Sequence, residues 1–471
     1  MSRVEGSYAF KIKNKKQEVK NAKESKGNKK LAAAGLAAIL ACQVMGCGTG
    51  EKPTKDVSDE KVSEVKSQDT SKKEVLKVAV SSSSISETEG TAPMEEMFRG
   101  FEEQNNCEVE IVVIAHDGWA DYLTKLQTMM VSGNGPDLYQ NPHEGGRMAN
   151  SLGLCAPLDD YISEHPEEWD EFVKVTPDSL ENAREVDGKI YGLPCFYQTT
   201  YMWLNTDRLK KAGLEVPDID WTWDEFEHYL EVLSKPDENG NKQYAWAIPD
   251  YYFVYNQWLY SFGTGYLDDD YKEVTFDSDA SIELMKFCAD AVKNGIAPTP
   301  DKNYDYLQQL VDGHVAMTNA GRWMINYCNS NEFTDVAVVR VPQKYSDRQE
   351  YAIGDFEVCS STSKYDLAAA CCFYTTGKDW VEKYANDTAN IPSRTDVTLT
   401  DPTTDKGYIN QDIFDTLPDG SYPMQNPTSF TEISNIFDRA FSSVMAGEIS
   451  PEDGCKQAAE EMRAAVKANP D

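Results

Sequence analysis

The chain has 471 residues, 40% of them hydrophobic and 11% aromatic, which is enough apolar material for the cores of two domains and is not the composition of a disordered chain. Its formal net charge of −34 is uneven, because residues 1–46 carry ten Lys/Arg against three Asp/Glu and the remainder is strongly acidic. A body of that sign repels phosphate backbones, so nucleic acid is excluded as a partner, and the acidity otherwise reads as solubility.

The N-terminus comes first in chain order. Its lysine-rich stretch ends at Lys29-Lys30, and a short apolar run of mostly small residues, Leu31–Cys47, follows. That run suits a signal-peptide core better than a spanning helix of about 20 residues. Val44-Met45-Gly46-Cys47 resembles a bacterial lipobox, which makes residues 1–46 a lipoprotein signal peptide and Cys47 the lipidated residue. Cys42 is the alternative lipidated residue, but it cuts the apolar core short, and the other reading of the segment is an uncleaved N-terminal anchor. Residues 47–74 are polar, of mixed charge and nearly free of large apolar groups, and read as a flexible tether. Either cysteine places the body on the extracellular face of the cell membrane, anchored by lipid.

In the body, Val75–Val80 reads as a buried strand ending in the run Ser81–Ser84. Met94, Met97, Phe98 and Phe101 mark a helix face, and Glu108–Ile114 reads as a second strand. Trp119, Tyr122, Leu123, Leu126, Met129 and Met130 mark another helix, and a third strand begins at Leu138-Tyr139 after the loop 132–137. This alternation predicts an α/β fold with a mainly parallel sheet. Thr222-Trp-Asp-Glu225, Ser363-Lys-Tyr-Asp366 and Ser450-Pro-Glu-Asp453 have the form of helix-capping boxes. Ile433, Phe437, Phe441, Val444 and Met445 form a last helical stripe. The nine body cysteines (107, 155, 195, 288, 328, 359, 371, 372, 455) are odd in number and irregularly spaced, so they read as small buried hydrophobes and not as a disulfide framework.

The body resembles the family 1 extracellular solute-binding proteins, the maltose-binding-protein-like group serving carbohydrate ABC importers. The residues that carry the likeness are Asp187–Pro194, Met202–Asn205, Leu209–Leu214, Pro217 and Thr222–Phe226. Gly135–Asp137, Pro157–Asp160, Asp312–Met317 with Gly321–Trp323, Asn390–Ser393 and Met445–Asp453 support it. The resemblance implies a two-lobed periplasmic-binding-protein fold of the class II type. Residues 75–193 and 352–393 then form the N-terminal lobe, and residues 194–351 and 394–471 the C-terminal lobe. The hinge crossings fall near Tyr191–Cys195, Tyr351–Gly354 and Pro392–Thr395. It also implies a monomeric protein that captures a sugar between its lobes and delivers it to the transmembrane permease subunits.

A sugar site needs aromatic platforms for flat CH faces and planar polar groups for hydroxyls. The segment Trp246–Phe262 holds eight aromatics in 17 residues, more than one helix face can bury, so Tyr252, Tyr255 and Asn256 are expected at the cleft. The resemblance adds Trp323 as a stacking platform, Gln198 as a polar contact, and Asn141 and Glu144 in the first lobe. Trp119 stands in for the aromatic expected where Asn141 lies. Ser83, Asp355 and Arg394 complete the expected set. One departure is at the second crossing, where Gly354 stands alone in place of the family's frequent glycine pair. Catalytic motifs are missing: the five histidines form no metal pair, and there is no Cys-x-x-Cys, no Gly-x-Ser-x-Gly and no P-loop. Ser361-Thr-Ser-Lys364 matches Ser-x-x-Lys without its companion motifs, and Ser363 is better read as a helix cap. The expectation is therefore a binding protein without enzymatic activity and without a cofactor or metal. The alternatives are a non-sugar solute such as a peptide or polyamine on the same fold, or a secreted glycoside hydrolase.

Overall fold

The computed structural model describes residues 73–470 apart from short stretches at 87–88, 178–179, 181–183, 238, 301–303, 400–407, 411–412 and 415–420. The expected signal peptide, Cys47 and nearly all of the tether lie outside the described residues.

The first sheet is built on β1 (Glu74–Ser81), which pairs in parallel with β2 (Cys107–Ile114) and with β3 (Leu138–Pro142). Two tiny strands, β4 (Glu185–Val186) and β5 (Lys189–Ile190), make a separate hairpin. The sheet is then extended by distant chain: β6 (Phe196–Gln198), β11 (Glu350–Val358), β12 (Ile391–Pro392) and β13 (Tyr422–Pro423), with β11 antiparallel to both β3 and β6. The two-residue period of a strand sorts its side chains. Val78 and Val80 join a core with Met97, Phe98 and Phe101 of helix Ala92–Asn105 and with Trp380, while Ala79 joins Tyr122, Leu123 and Met130 of helix Trp119–Val131 on the other face.

The second sheet has the order β10-β7-β9-β8, from β7 (Tyr201–Asn205), β8 (Tyr244–Ala247), β9 (Val315–Ala320) and β10 (Val336–Arg340). Met202, Leu204 and Trp246 face one core and Tyr201, Trp203 and Ala247 the other, so both faces are covered. Trp203, Trp246 and Trp258 are fully buried, and burial of a large apolar side chain stabilises by roughly 2–3 kcal/mol. Thr222 and Glu225 form the full capping box of helix Trp223–Leu233, and Ser450 caps Pro451–Ala468 with Pro451 in its first turn. Ser363 does not cap: helix Tyr365–Tyr374 begins one residue later, with Lys364 at the cap position and its Nζ drawn to Asp137 and to the Val75 carbonyl. All nine body cysteines are buried.

The chain passes from the first sheet to the second at Thr199-Thr200 and returns between Arg340 and Glu350. The first passage falls later than 191–195 because that segment is still tied to β11: the Cys195 N–H donates to the Gly354 carbonyl, and Gly192 bridges Glu357. Residues 394–395 also stay with the first sheet's helices, since Arg394 donates to the Thr376 carbonyl and the Thr395 N–H to that of Val175. The chain is on the second sheet by Ile409, which bridges Ala337.

Candidate functional site

A cavity of about 430 Å³ opens between the two sheets. The first sheet's side supplies Ser83 and Ser84 from the turn after β1, His116 from the loop after β2, Trp119 from the start of the helix that follows, and Gln140, Pro142 and Glu144 from β3 and the turn after it. The second sheet's side supplies Tyr251, Phe253, Trp323, Asn326 and Tyr327. Phe196, Gln198, Ala352, Ile353, Tyr384, Thr388 and Asn390 form its floor where the sheets meet. Gly354 lets Phe196 lie flat on β11, since a Cβ there would sit 1.9 Å from the ring.

The polar groups are held by one another. Gln140 Oε1 accepts from the Ser81 N–H and the Ser84 hydroxyl, both at 3.0 Å, while its Nε2 donates to Tyr384 at 2.9 Å. Ser81 Oγ lies 2.6 Å from both Ser83 Oγ and His116 Nε2. On the floor, Gln198 Nε2 donates to Asn390 Oδ1 at 2.6 Å and its Oε1 accepts from the Arg322 N–H at 3.2 Å. Such fixed networks present hydroxyl and amide groups in one arrangement, which is what recognition of a polyhydroxylated ligand needs.

Aromatic rings stand on both sides. His116 and Trp119 stack with centroids 5.3 Å apart, and Tyr122 meets Trp119 edge-on at 5.4 Å. Opposite them, Trp323 packs against Phe253 and Tyr251 at 6.1 and 6.5 Å. Both tryptophans remain partly exposed and line the cavity.

Electrostatically the cavity is sparse. Glu144 is its one carboxylate among the described residues, and no lysine or arginine lines it. Burial pushes the Glu144 carboxyl up, opposed by hydrogen bonds from its own backbone and from Tyr251, whose hydroxyl donates to Oε1 at 2.8 Å. That bond joins the two sides of the cavity directly. Burial lowers the His116 imidazole below its ordinary value, which favours the neutral ring. A larger groove, about 650 Å³, lies between helix Asp279–Lys293 and residues 444–452, but it is lined by aliphatic, hydroxyl and charged side chains with no aromatic ring or amide.

Of the expected contacts, Ser83, Trp119, Glu144, Gln198 and Trp323 line the cavity, and six do not. Helix Tyr252–Ser261 is buried on every side: Tyr252 stacks on Tyr266 at 4.1 Å, Tyr255 packs on Phe437 and Phe441, and Asn256 donates to Glu350 at 2.7 Å. It is Tyr251, just before the helix, and Phe253 in its first turn that reach the cavity. Asn141 and Asp355 are register partners on the opposite face of the sheet. There Arg184 donates to Asp355 at 2.9 Å and Tyr139 to Glu357 at 2.7 Å. Arg394 is committed to Asp396 at 2.9 Å. Gln140 and Tyr384 carry no local motif; only the strand alternation that excludes Asn141 points to Gln140.

Residues 96–410 match the family model described as bacterial extracellular solute-binding protein. A maltotriose-binding protein of Pyrococcus abyssi is 27% identical over 317 residues, 65% of this chain and 65% of that protein. A galactooligosaccharide-binding protein of Bacillus subtilis is 21% identical over 78% of this chain and 85% of its own. Among solved structures, an ABC substrate-binding protein of Listeria monocytogenes in complex with cycloalternan superposes with a TM-score of 0.70 at 20% identity, covering 84% of this chain and 99% of that one. A maltose-bound protein of T. maritima superposes at 0.67 with 18% identity, covering 83% and 99%. The two sheets with a ring-lined cavity between them are thus those of a two-lobed binding fold, and the chain belongs to the bacterial extracellular solute-binding proteins.

Proposed function

We propose that the cavity captures a neutral oligosaccharide, with about two sugar rings enclosed at a time, and that the chain delivers it to the permease of an ABC importer. The observation that carries this reading is the pair of partly exposed tryptophans, Trp119 and Trp323, on opposite sides of one cavity floored by fixed amides and hydroxyls. The lack of lysine and arginine among the lining residues argues against acidic sugars and carboxylate-bearing peptides. Relatives named for maltotriose, galactooligosaccharide and arabinooligosaccharide binding support the same class. A glycoside hydrolase would place two carboxyl groups about the scissile bond, and among the described residues Glu144 is the one carboxylate lining the cavity. Lipidation at Cys47 and a tether running up to β1 complete the proposal, with Cys47→Ser expected to release the protein from membrane fractions.

The test is calorimetric titration against a panel of neutral, acidic and amino sugars, with polyamines and peptides alongside. One neutral oligosaccharide class is expected to bind, and Trp323→Ala is expected to weaken it by about ten- to a hundredfold, the loss of a stacking partner. Binding of a cation or peptide alone would overturn the sugar assignment.

A further inference from the structure

Cys155 and Cys359 face each other across two antiparallel backbone segments of the first lobe. The Ala156 N–H donates to the Val358 carbonyl at 2.9 Å, and the Ser360 N–H donates to the Leu154 carbonyl at 2.8 Å. These bonds bracket the two cysteines, which makes them a non-hydrogen-bonded pair. In such a pair the Cα atoms stand about 4.5 Å apart and both side chains project from the same face. That separation falls within the span a disulfide bridges.

Other contacts agree on the shared face. Both side chains are buried in the same cluster with Tyr139, Met130 and Ala149, and both thiols act electrostatically on the Tyr139 phenol. Both are free thiols in this structure, with Cys359 Sγ 3.2 Å from Ser361 Oγ, and other body thiols are engaged elsewhere. Cys195 Sγ donates to the Gly354 carbonyl and Cys372 Sγ to that of Phe356, while Cys371 and Cys372 are neighbours on one helix. Cys155–Cys359 is the cysteine pair that strand register holds opposed among the described residues.

We propose that Cys155 and Cys359 form a cross-strand disulfide as the exported chain folds. The oxidant is a low-molecular-weight disulfide. One cysteine thiolate attacks a sulfur of that disulfide and expels one small thiolate. The second cysteine thiolate then attacks the mixed disulfide at the protein sulfur, closing the Cys155–Cys359 bond and expelling the other. The small disulfide is reduced by two electrons, the cysteines lose them, and their two protons leave on the released thiols. Burial raises the Cys155 thiol above its ordinary range, so the exchange belongs to folding, while both groups are reachable, and the closed bond is shielded afterwards. The link ties the strand end at Cys359 to the chain following helix Gly146–Ser151, two segments whose other ends, Ile353 and Glu144, line the ligand cavity.

The full chain is unfolded, reduced, and refolded with oxidised and reduced glutathione, then alkylated and digested without reduction. Mass spectrometry is expected to find a peptide joining Cys155 to Cys359, lighter than its two halves by two hydrogens. Closing a loop of roughly 200 residues is expected to raise the melting temperature by on the order of 5 °C over protein refolded with reduced glutathione alone. Cys359→Ala is expected to abolish both the link and the shift. Should that variant not fold, the wild-type chain before and after treatment with a strong reductant reads the same shift. Recovery of both residues alkylated or carrying glutathione in the folded, oxidised protein, or of Cys155 joined to another cysteine, overturns the proposal.

Discussion

Gln140 and Asn141 are adjacent in one short strand, yet Gln140 lines the cavity and Asn141 does not. A one-residue step along a strand turns the side chain to the opposite face, which is why Asn141 lies away from the cavity that Gln140 lines. Tyr251 and Tyr252 part at a helix start, Tyr251 being the extended residue just before the first helical one. Asn141 and Asp355 instead belong to a buried ionic cluster in which two carboxylates, Asp355 and Glu357, share the single guanidinium of Arg184 at 2.9 and 3.5 Å. One positive charge does not neutralise two, and burial pushes the Glu357 carboxyl from an ordinary 4.5 up to about 7. A carboxyl raised on folding stabilises fully below its unfolded value, and that contribution is lost as pH rises through its folded value. Between pH 5 and pH 8 the wild-type protein is therefore expected to lose on the order of 2 kcal/mol more than Glu357→Gln, read from urea unfolding at both pH values. Equal losses would show that Glu357 is ionised throughout.

At the scale of elements, the sequence was most legible where period and cap agree. The apolar faces of helices Ala92–Asn105, Trp119–Val131 and Phe430–Met445 are the buried ones, and the Thr222 box closes as its spacing demands. Helix Tyr252–Ser261 was not legible in the same way. Its aromatics exceed one face, and two explanations fit that excess: a ligand on the far side, or protein there. Its residues pack against β11 and the helices on either side, including Asp279–Lys293 and Phe430–Met445, so the answer is protein, in keeping with a helix that is apolar all round. Trp258 sits at its centre, packed on Trp246 at 4.9 Å with its indole N–H donated to Asn319 at 2.9 Å. Trp258→Ala is expected to cost about 3–5 kcal/mol in denaturant unfolding. A cost below about 1 kcal/mol would mean the helix is far looser than its burial implies.

For the whole molecule, the α/β class was readable because strand and helix patterns alternate along the chain, and the two-lobed architecture through the resemblance carried by residues such as Asp187–Pro194. The exact passages between sheets were not, because they depend on long-range register such as Cys195 on Gly354. The Tyr251–Glu144 bond spans the cavity and contributes to holding its two sides together. Tyr251→Phe is expected to raise the radius of gyration of the ligand-free protein in X-ray scattering and to weaken ligand binding by several-fold. An unchanged radius would assign closure to other contacts. The wiring of the first sheet also has a consequence for how the molecule comes into being. Its central strand, β11, lies some two hundred residues downstream of the β3 strand it pairs with, so the lobe that begins the body cannot close until most of the chain has been delivered. Contacts of such sequence separation are slow to form. A chain threaded through an export channel is thereby kept from folding early, and a fragment ending before Glu350 has no central strand on which to assemble the first lobe.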